Sequence, residues 1–135
     1  MADPWKPTAN HDTKHYWAGC ERRELVLARC EECRQWIHPP RGVCPRCWSD
    51  RIAHEAISGR GRVYSFVVLP AARQGPDAQD KVTVWAELEE QERLIVVADL
   101  APSERGFEIM IGDRLELTWG EHRGAAVPNF RKETR

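Results

Sequence analysis

No apolar run in this 135-residue chain approaches the roughly 20 residues that a membrane-spanning helix needs, so no membrane partner is expected. A charged-then-apolar leader is also lacking, and the expectation is a cytoplasmic protein whose thiols stay reduced. Three motifs are missing as well: Gly-x-Ser-x-Gly, His-Glu-x-x-His and a glycine-rich phosphate loop followed by a helix. Each would have brought a nucleophile, a metal-activated water or a nucleotide. Without them no catalytic residue is assigned. Ser58-Gly59-Arg60-Gly61 is superficially phosphate-binding, but with no helix behind it the stretch reads as a tight approach to a strand. Lysine is scarce too: only four of the 20 basic residues are lysines (Lys6, Lys14, Lys81 and Lys132). Arginine, the planar fork for carboxylates and phosphates, does the rest.

What the chain does have is a pair of cysteine knuckles. Cys30-x-x-Cys33 and Cys44-Pro45-x-Cys47 are separated by ten residues. Each knuckle can present two thiolates from a tight turn, and together they complete a tetrahedral four-sulfur shell. Such a shell has no open coordination position, so one structural zinc ion is expected to hold a small fold together. Iron in a rubredoxin-like site, two disulfides or four free thiols are the competing readings. The spacing is short for a rubredoxin core, and neither second cysteine is followed by glycine: Arg34 and Trp48 stand there. Cys20, the fifth cysteine, reads as a small buried hydrophobe or as a reactive thiol. His38 is a neighbour of the knuckles rather than a ligand, because four thiolates already fill the shell. His11 and His15 sit four apart, a spacing open to metal binding and equally ordinary for surface histidines.

Charge is unevenly spread although the net value is −1. From Cys20 to Arg62 nine basic residues face six acidic ones; from Asp77 to Glu121 four face twelve; residues 122–135 return to +3. A barrel section carrying −8 repels phosphates, which argues against a nucleic-acid partner.

The order of elements points to a mainly β fold. An extended arm around Trp5 precedes a helix capped by Asn10 or Asp12 and running to about Arg22, with Trp17, Cys20 and Glu24 on one face. Strands are expected at 25–29 and 35–38, around the first knuckle. The cysteine block is too poor in aliphatics to fold without its metal, and a boundary falls at 53–57. Five further strands follow at 61–69, 82–88, 93–100, 114–119 and 125–130, with a long loop at 70–80 and a crossover at 102–111. Five strands with a crossover between the third and fourth describe an OB-type Greek-key barrel. The domains are thus an arm and helix over 1–24, a zinc ribbon over 25–56 and an OB-fold over 57–135.

Four segments occur in one order: the cysteine block containing Pro39-Pro40-Arg41, then residues 58–66 (Ser-Gly-Arg-Gly-Arg-Val-Tyr-Ser-Phe), then Ile111-Gly112-Asp113 before a strand, then Val127-Pro128-Asn129-Phe130-Arg131. That order resembles the domain-of-unknown-function 35 family, a rubredoxin-like zinc ribbon fused to an OB-fold, over nearly the whole chain from Tyr16 to Arg131. The resemblance implies an auxiliary role beside a thiolase-fold enzyme, the acid–base residues lying on the partner and an acyl-CoA thioester enclosed near the interface. The partner reaction it implies is carbon–carbon bond cleavage of the steroid side-chain retro-aldol type, condensation, or acyl transfer. Two departures stand out: Arg34 and Trp48 replace the family's glycines, and Val82-Thr83-Val84-Trp85 replaces a commoner aliphatic run.

Tyr16, Trp17, Trp36 and Trp48 are candidate anchors for the partner, since Trp and Tyr dominate interface hot spots; the alternative is that they form the ribbon's own core. Arg60, Arg62, Arg131 and Lys132 are candidates for CoA phosphates or acidic partner groups. Tyr64, on the first barrel strand, either packs or lines an acyl-CoA channel. The competing function is a single-stranded nucleic-acid-binding ribbon and OB-fold, which requires a basic groove with stacking aromatics.

Overall fold

Asn10 folds its side chain back on the backbone: its Oδ1 accepts from the N–H groups of Asp12 and Thr13 at 2.9 Å each. This is an Asx-type turn. The helix α1 (Lys14–Glu21) starts just after it, with Thr13 at the N-cap position and no side-chain capping bond. The expected cap by Asn10 or Asp12 is therefore corrected. So is Glu24, which lies beyond the helix because the chain turns through Arg23 at φ 58°. Gly19 lets α1 lie against the next strand, since a Cβ there would stand 2.7 Å from Val26 Cγ2.

The computed structural model describes residues 6–73, 75–102 and 108–133. They form two units, Met1–Ser58 with Glu121–Val127, and Gly59–Gly120 with Pro128–Arg135. In the first unit β1 (Val26–Cys30) is the middle of a three-stranded antiparallel sheet between β2 (Trp36–Ile37) and β3 (Ile52–Ala56). β1 meets β2 through Ala28↔Ile37 and β3 from Val26↔Ala56 to Cys30↔Ile52. The expected strand at 35–38 shrinks to two residues. β3 falls where the sequence suggested a domain boundary; its Ile-Ala-His-Glu-Ala has no apolar alternation, and pairing with β1 makes it a strand.

Five further strands, β4 (Gly61–Leu69), β5 (Lys81–Leu88), β6 (Ile95–Leu100), β7 (Arg114–His122) and β8 (Ala125–Lys132), lie for the greater part in the second unit. They close in the order β4-β5-β6-β8-β7, the Greek-key sequence expected of an OB-type barrel. Val82, Val84, Ala86 and Leu88 alternate inward and are buried, as their period of two requires. Phe130, Leu115, Leu100 and Val63 fill the same core. Each such side chain contributes about 1.5–3 kcal/mol by leaving water. The register slips between Val63 and Ser65, so Tyr64 is an inserted bulge residue. Part of the expected crossover at 102–111 lies outside the described residues. Among the described residues no helix is long and apolar enough to cross a membrane.

Candidate metal centre

The two knuckles are built alike. In the first, the Arg34 N–H donates to the Cys30 carbonyl at 3.1 Å and the Cys30 N–H to the Gln35 carbonyl at 2.9 Å. In the second, the Trp48 N–H donates to the Cys44 carbonyl at 2.9 Å and the Cys44 N–H to the Ser49 carbonyl at 2.8 Å. Backbone amides also point at sulfur: Cys33 N–H at Cys30 Sγ, 3.5 Å, and Arg46 N–H at Cys44 Sγ, 3.4 Å. N–H groups aimed at sulfur favour the thiolate.

All four sulfurs lie within 4.8 Å of one another. Cys30 and Cys47 approach to 3.5 Å and Cys33 and Cys44 to 3.6 Å. Zinc–sulfur bonds of about 2.3 Å place tetrahedral sulfurs about 3.8 Å apart, so the donor set fits a four-thiolate metal ion. No other cluster of His, Cys, Asp or Glu among the described residues has this geometry, and His38 is not in it. The Cys33 N–H holds the Cys30 thiol down to about 6. Burial pushes Cys44 up, but the Cys47 and Arg46 N–H groups outweigh it and leave the thiol lowered. The Ser49 N–H pulls Cys47 down, yet burial and the three neighbouring sulfurs push it up to about 12. Four crowded thiolates repel one another, and a divalent cation removes that repulsion. The small core against them, Ala28, Cys30, Ile37 and Cys44 with Cys33 and Ile52 beside it, is too slight to fold such a sheet alone.

The aromatic candidates separate by exposure. Trp36 is buried at 8 % exposure with the Arg29 guanidinium 4.5 Å over its ring. Tyr16 and Trp17 are half-buried and meet edge-to-face at 4.9 Å. Burial and the nearby Cys20 push the Tyr16 phenol well above its usual value. Trp17 and Cys20 line a cavity of about 570 Å³ with Lys6, Lys14 and Arg23. Burial holds the Cys20 thiol up near 11, so it stays protonated and packs as a small apolar side chain. Trp48 is 78 % exposed.

Arg60 and Arg62 share an open cleft of about 630 Å³ with Arg114, Glu87, Glu89 and Glu92. Arg60 Nε stands 3.2 Å from Glu89, and Arg62 donates to the Gly112 carbonyl at 3.1 Å. Arg131 stands 2.6 Å from Glu116, and Lys132 3.2 Å from Asp113. Tyr64 is an exposed bulge residue outside that cleft. His54 was given no weight in the sequence, yet its ring stacks on His15 with centroids 3.9 Å apart. No spacing could reveal the pair; β3 brings it together.

A four-sulfur ribbon followed by a closed five-stranded barrel defines the class: a small, mainly β protein with a four-cysteine site fit for a metal ion. Comparison with known proteins narrows it. Residues 17–53 match the family described as ChsH2, rubredoxin-like zinc ribbon domain. A solved structure titled "Ltp2-ChsH2(DUF35) aldolase" superimposes with a TM-score of 0.75 at 29% identity, covering 94% of this chain and 98% of that one. A DUF35 domain-containing scaffold protein of Methanothermobacter thermautotrophicus is 28% identical over 102 residues, 73% of this chain and 74% of that protein. Over most of its length the chain is thus similar to proteins described as DUF35. It is also 31% identical over 117 residues to a probable enoyl-CoA hydratase alpha subunit of Thermomonospora curvata, covering 86% of this chain and 35% of that one. A 3-oxo-4,17-pregnadiene-20-carboxyl-CoA hydratase alpha subunit of Mycobacterium tuberculosis is 33% identical over 93 residues, 67% of this chain and 29% of that one. The chain thus spans about a third of each hydratase subunit it matches.

Proposed function

We propose that this chain is a non-catalytic, cytoplasmic subunit that binds a thiolase-fold enzyme and helps enclose an acyl-CoA thioester undergoing carbon–carbon bond cleavage or condensation. In this reading one zinc ion, held by Cys30, Cys33, Cys44 and Cys47, is structural. The arm and helix over 1–24 and the ribbon over 25–56 carry the contact, with the barrel over 57–135 as the second part. The observation that carries the reading is the similarity, over 94% of this chain, to a solved structure whose title names an aldolase. Two features support it. The metal-ligand cluster among the described residues is the four-sulfur set alone, which leaves no fifth protein donor, and the Cys20 thiol is buried and held protonated. Trp48 is a large ring held in solvent at a backbone position that favours glycine (φ 66°), as an anchor awaiting a partner would be.

The deciding experiment mixes purified chain with thiolase-fold proteins from the same genome, measures mass by light scattering, and follows thioester turnover with and without the chain. A stable hetero-complex, active only when both components are present, is expected. Failure of every such protein to associate, or turnover by the chain alone, would overturn the reading.

A further inference from the structure

The four sulfurs of the metal centre are unequally shielded. Cys30 and Cys44 are 0% exposed and Cys33 is half-buried, whereas Cys47 is exposed. From Arg41 to Trp48 every residue except Cys44 is exposed, so Cys47 sits on a stretch of the ribbon open to solvent. The charged residues from Arg34 to Ser49 are Arg34, Arg41 and Arg46, with no carboxylate among them. Exposed, electropositive surroundings are those in which cysteine sulfur reacts. On a divalent ion all four sulfurs are thiolates, so exposure, not proton affinity, decides which of them a solute meets first. The sulfur that approaches Cys47 to 3.5 Å is Cys30 Sγ, across the two knuckles. Cys30 is shut off from solvent yet within reach of Cys47. An exposed cysteine beside a resolving one is the arrangement that redox-sensitive cysteines share. Cys20, the fifth thiol, is buried at 2% exposure and lies outside the cluster.

We infer that Cys47 is a site of modification by hydroperoxides, with Cys30 as its resolving partner, and that one peroxide opens the metal centre at this corner. The Cys47 thiolate attacks one oxygen of hydrogen peroxide: the S–O bond forms, the O–O bond breaks and hydroxide leaves. The product is a sulfenic acid at Cys47. The Cys30 thiolate then attacks the Cys47 sulfur; the S–S bond forms, the S–O bond breaks and a second hydroxide leaves. The two sulfurs lose two electrons in total, the two peroxide oxygens gain them, and two protons from solvent convert both hydroxides to water. Cys33 and Cys44 are left as the only thiolates of the set, too few for a closed tetrahedral shell, and the zinc ion is released. Because the small core against the cluster is too slight to hold the sheet without its metal, the same step loosens β1–β3. A dithiol reverses it by thiol–disulfide exchange, after which the four-sulfur set refills. The inference rests on zinc at the four-sulfur site and on no enzyme partner.

The test treats the full chain, saturated with zinc as checked by elemental analysis, with an equimolar amount of hydrogen peroxide, then alkylates the remaining thiols in denaturant. Trypsin cuts after Arg46 and parts Cys44 from Cys47; cleavage after Glu31 and Glu32 parts Cys30 from Cys33. Mass spectrometry is expected to find Cys47 linked to Cys30, with Cys20, Cys33 and Cys44 alkylated. A chromophoric chelator should read about one zinc released per peroxide consumed. Dithiol and fresh zinc should restore the metal content and the circular dichroism. Cys47→His keeps a four-ligand set without the exposed sulfur, and should slow peroxide-driven zinc release at least about tenfold. If that variant takes up no zinc, the wild-type linkage map alone decides. A first disulfide within one knuckle, or between Cys33 and Cys44, overturns the inference. So does zinc retained through a large excess of peroxide, or a zinc-loaded Cys47→His variant that empties as fast as the wild type. A chain that takes up no zinc defeats the metal reading and this inference together; one that binds zinc and yields another linkage defeats this inference alone.

Discussion

Arg34 and Trp48 are backbone equivalents: each follows the second cysteine of its knuckle, each sits at a positive φ (65° and 66°), and each donates its N–H to the first cysteine's carbonyl. A residue with a Cβ resists this left-handed conformation by about 1–2 kcal/mol, and glycine does not. Arg34 gains a partial return, since its guanidinium stands 3.3 Å from Glu55; Trp48 is simply exposed.

The two positions should therefore respond differently. Trp48→Gly is expected to stabilise the isolated ribbon by about 1 kcal/mol, and Arg34→Gly by less, because a surface ion pair of about 0–1 kcal/mol is lost with it. Urea unfolding of zinc-loaded protein measures both. Under the proposed function Trp48→Gly should at the same time weaken the enzyme complex, by about 2 kcal/mol or more if the ring is a hot spot. Gained stability with unchanged partner affinity would remove Trp48 from the interface.

Metal removal should unfold the first unit more than the second. The four-sulfur cluster and its small core are mutually dependent, and structural zinc in small modules supplies about 10–16 kcal/mol of apparent folding free energy. Elemental analysis is expected to give one zinc per chain. Cys44→Ser should lose it, together with amide protection in β1–β3, while the barrel core around Phe130 and Leu115 stays protected. Iron in the purified protein, or a ribbon that keeps its protection in excess chelator, would refute a structural zinc.

Much of this architecture was legible because its signals are local. The knuckles are a spacing, β5 is an alternation, and β4 is a run of β-branched and aromatic residues bounded by Gly61. What sequence could not show depends on partners far along the chain. β3 is a strand because β1 lies beside it; His15 and His54 meet because β3 returns past the helix. The helix start was misplaced because Asn10, a good capping residue, spends its side chain on a preceding turn. Trp36 and Trp48 look alike in sequence, yet one is buried under Arg29 and the other stands in solvent.

The glycines of Ser58-Gly59-Arg60-Gly61 are predicted to be structural. A Cβ at Gly61 would lie 2.2 Å from the Glu87 carbonyl oxygen, and one at Gly59, where φ is +77°, 2.5 Å from Leu117 Cβ. Gly61→Ala and Gly59→Ala should each destabilise the barrel by about 1–3 kcal/mol or more. Gly42→Ala is the control, with nothing within 4 Å of its Cβ, and should be near neutral. Thermal unfolding at fixed zinc content ranks the three.

Acid should weaken the first unit through its histidines. Burial lowers His38, whose Nδ1 is buried without a hydrogen-bond partner. Burial first, then His15, Lys14 and His11, lowers His54. Both rings therefore bind a proton less readily folded than unfolded. Their contribution is intact above the unfolded value of about 6.5 and declines as pH falls below it. His38→Phe, which keeps a ring against Tyr16, should lose less stability between pH 7.5 and 5.5 than the wild type when both hold equal zinc. An identical acid loss in the variant would clear His38 of the effect.

Nucleic acid is expected not to bind. Phosphate recognition needs cations free to release counterions, and here many cations already face carboxylates: Arg29 and Arg34 share Glu55, Arg51 spans Glu31 and Glu32, Arg60 meets Glu89, and Arg131 meets Glu116. Residues 77–121 add twelve acidic against four basic side chains. Tyr64 is exposed and Trp85 partly so, rings of the kind an OB-type barrel can use to stack bases, but without a basic groove beside them stacking has no electrostatic support. Fluorescence anisotropy with labelled single-stranded oligonucleotides at physiological salt should show no binding tighter than about 10⁻⁴ M. Tighter binding that weakens steeply with added salt would favour the polynucleotide reading over the enzyme-subunit one.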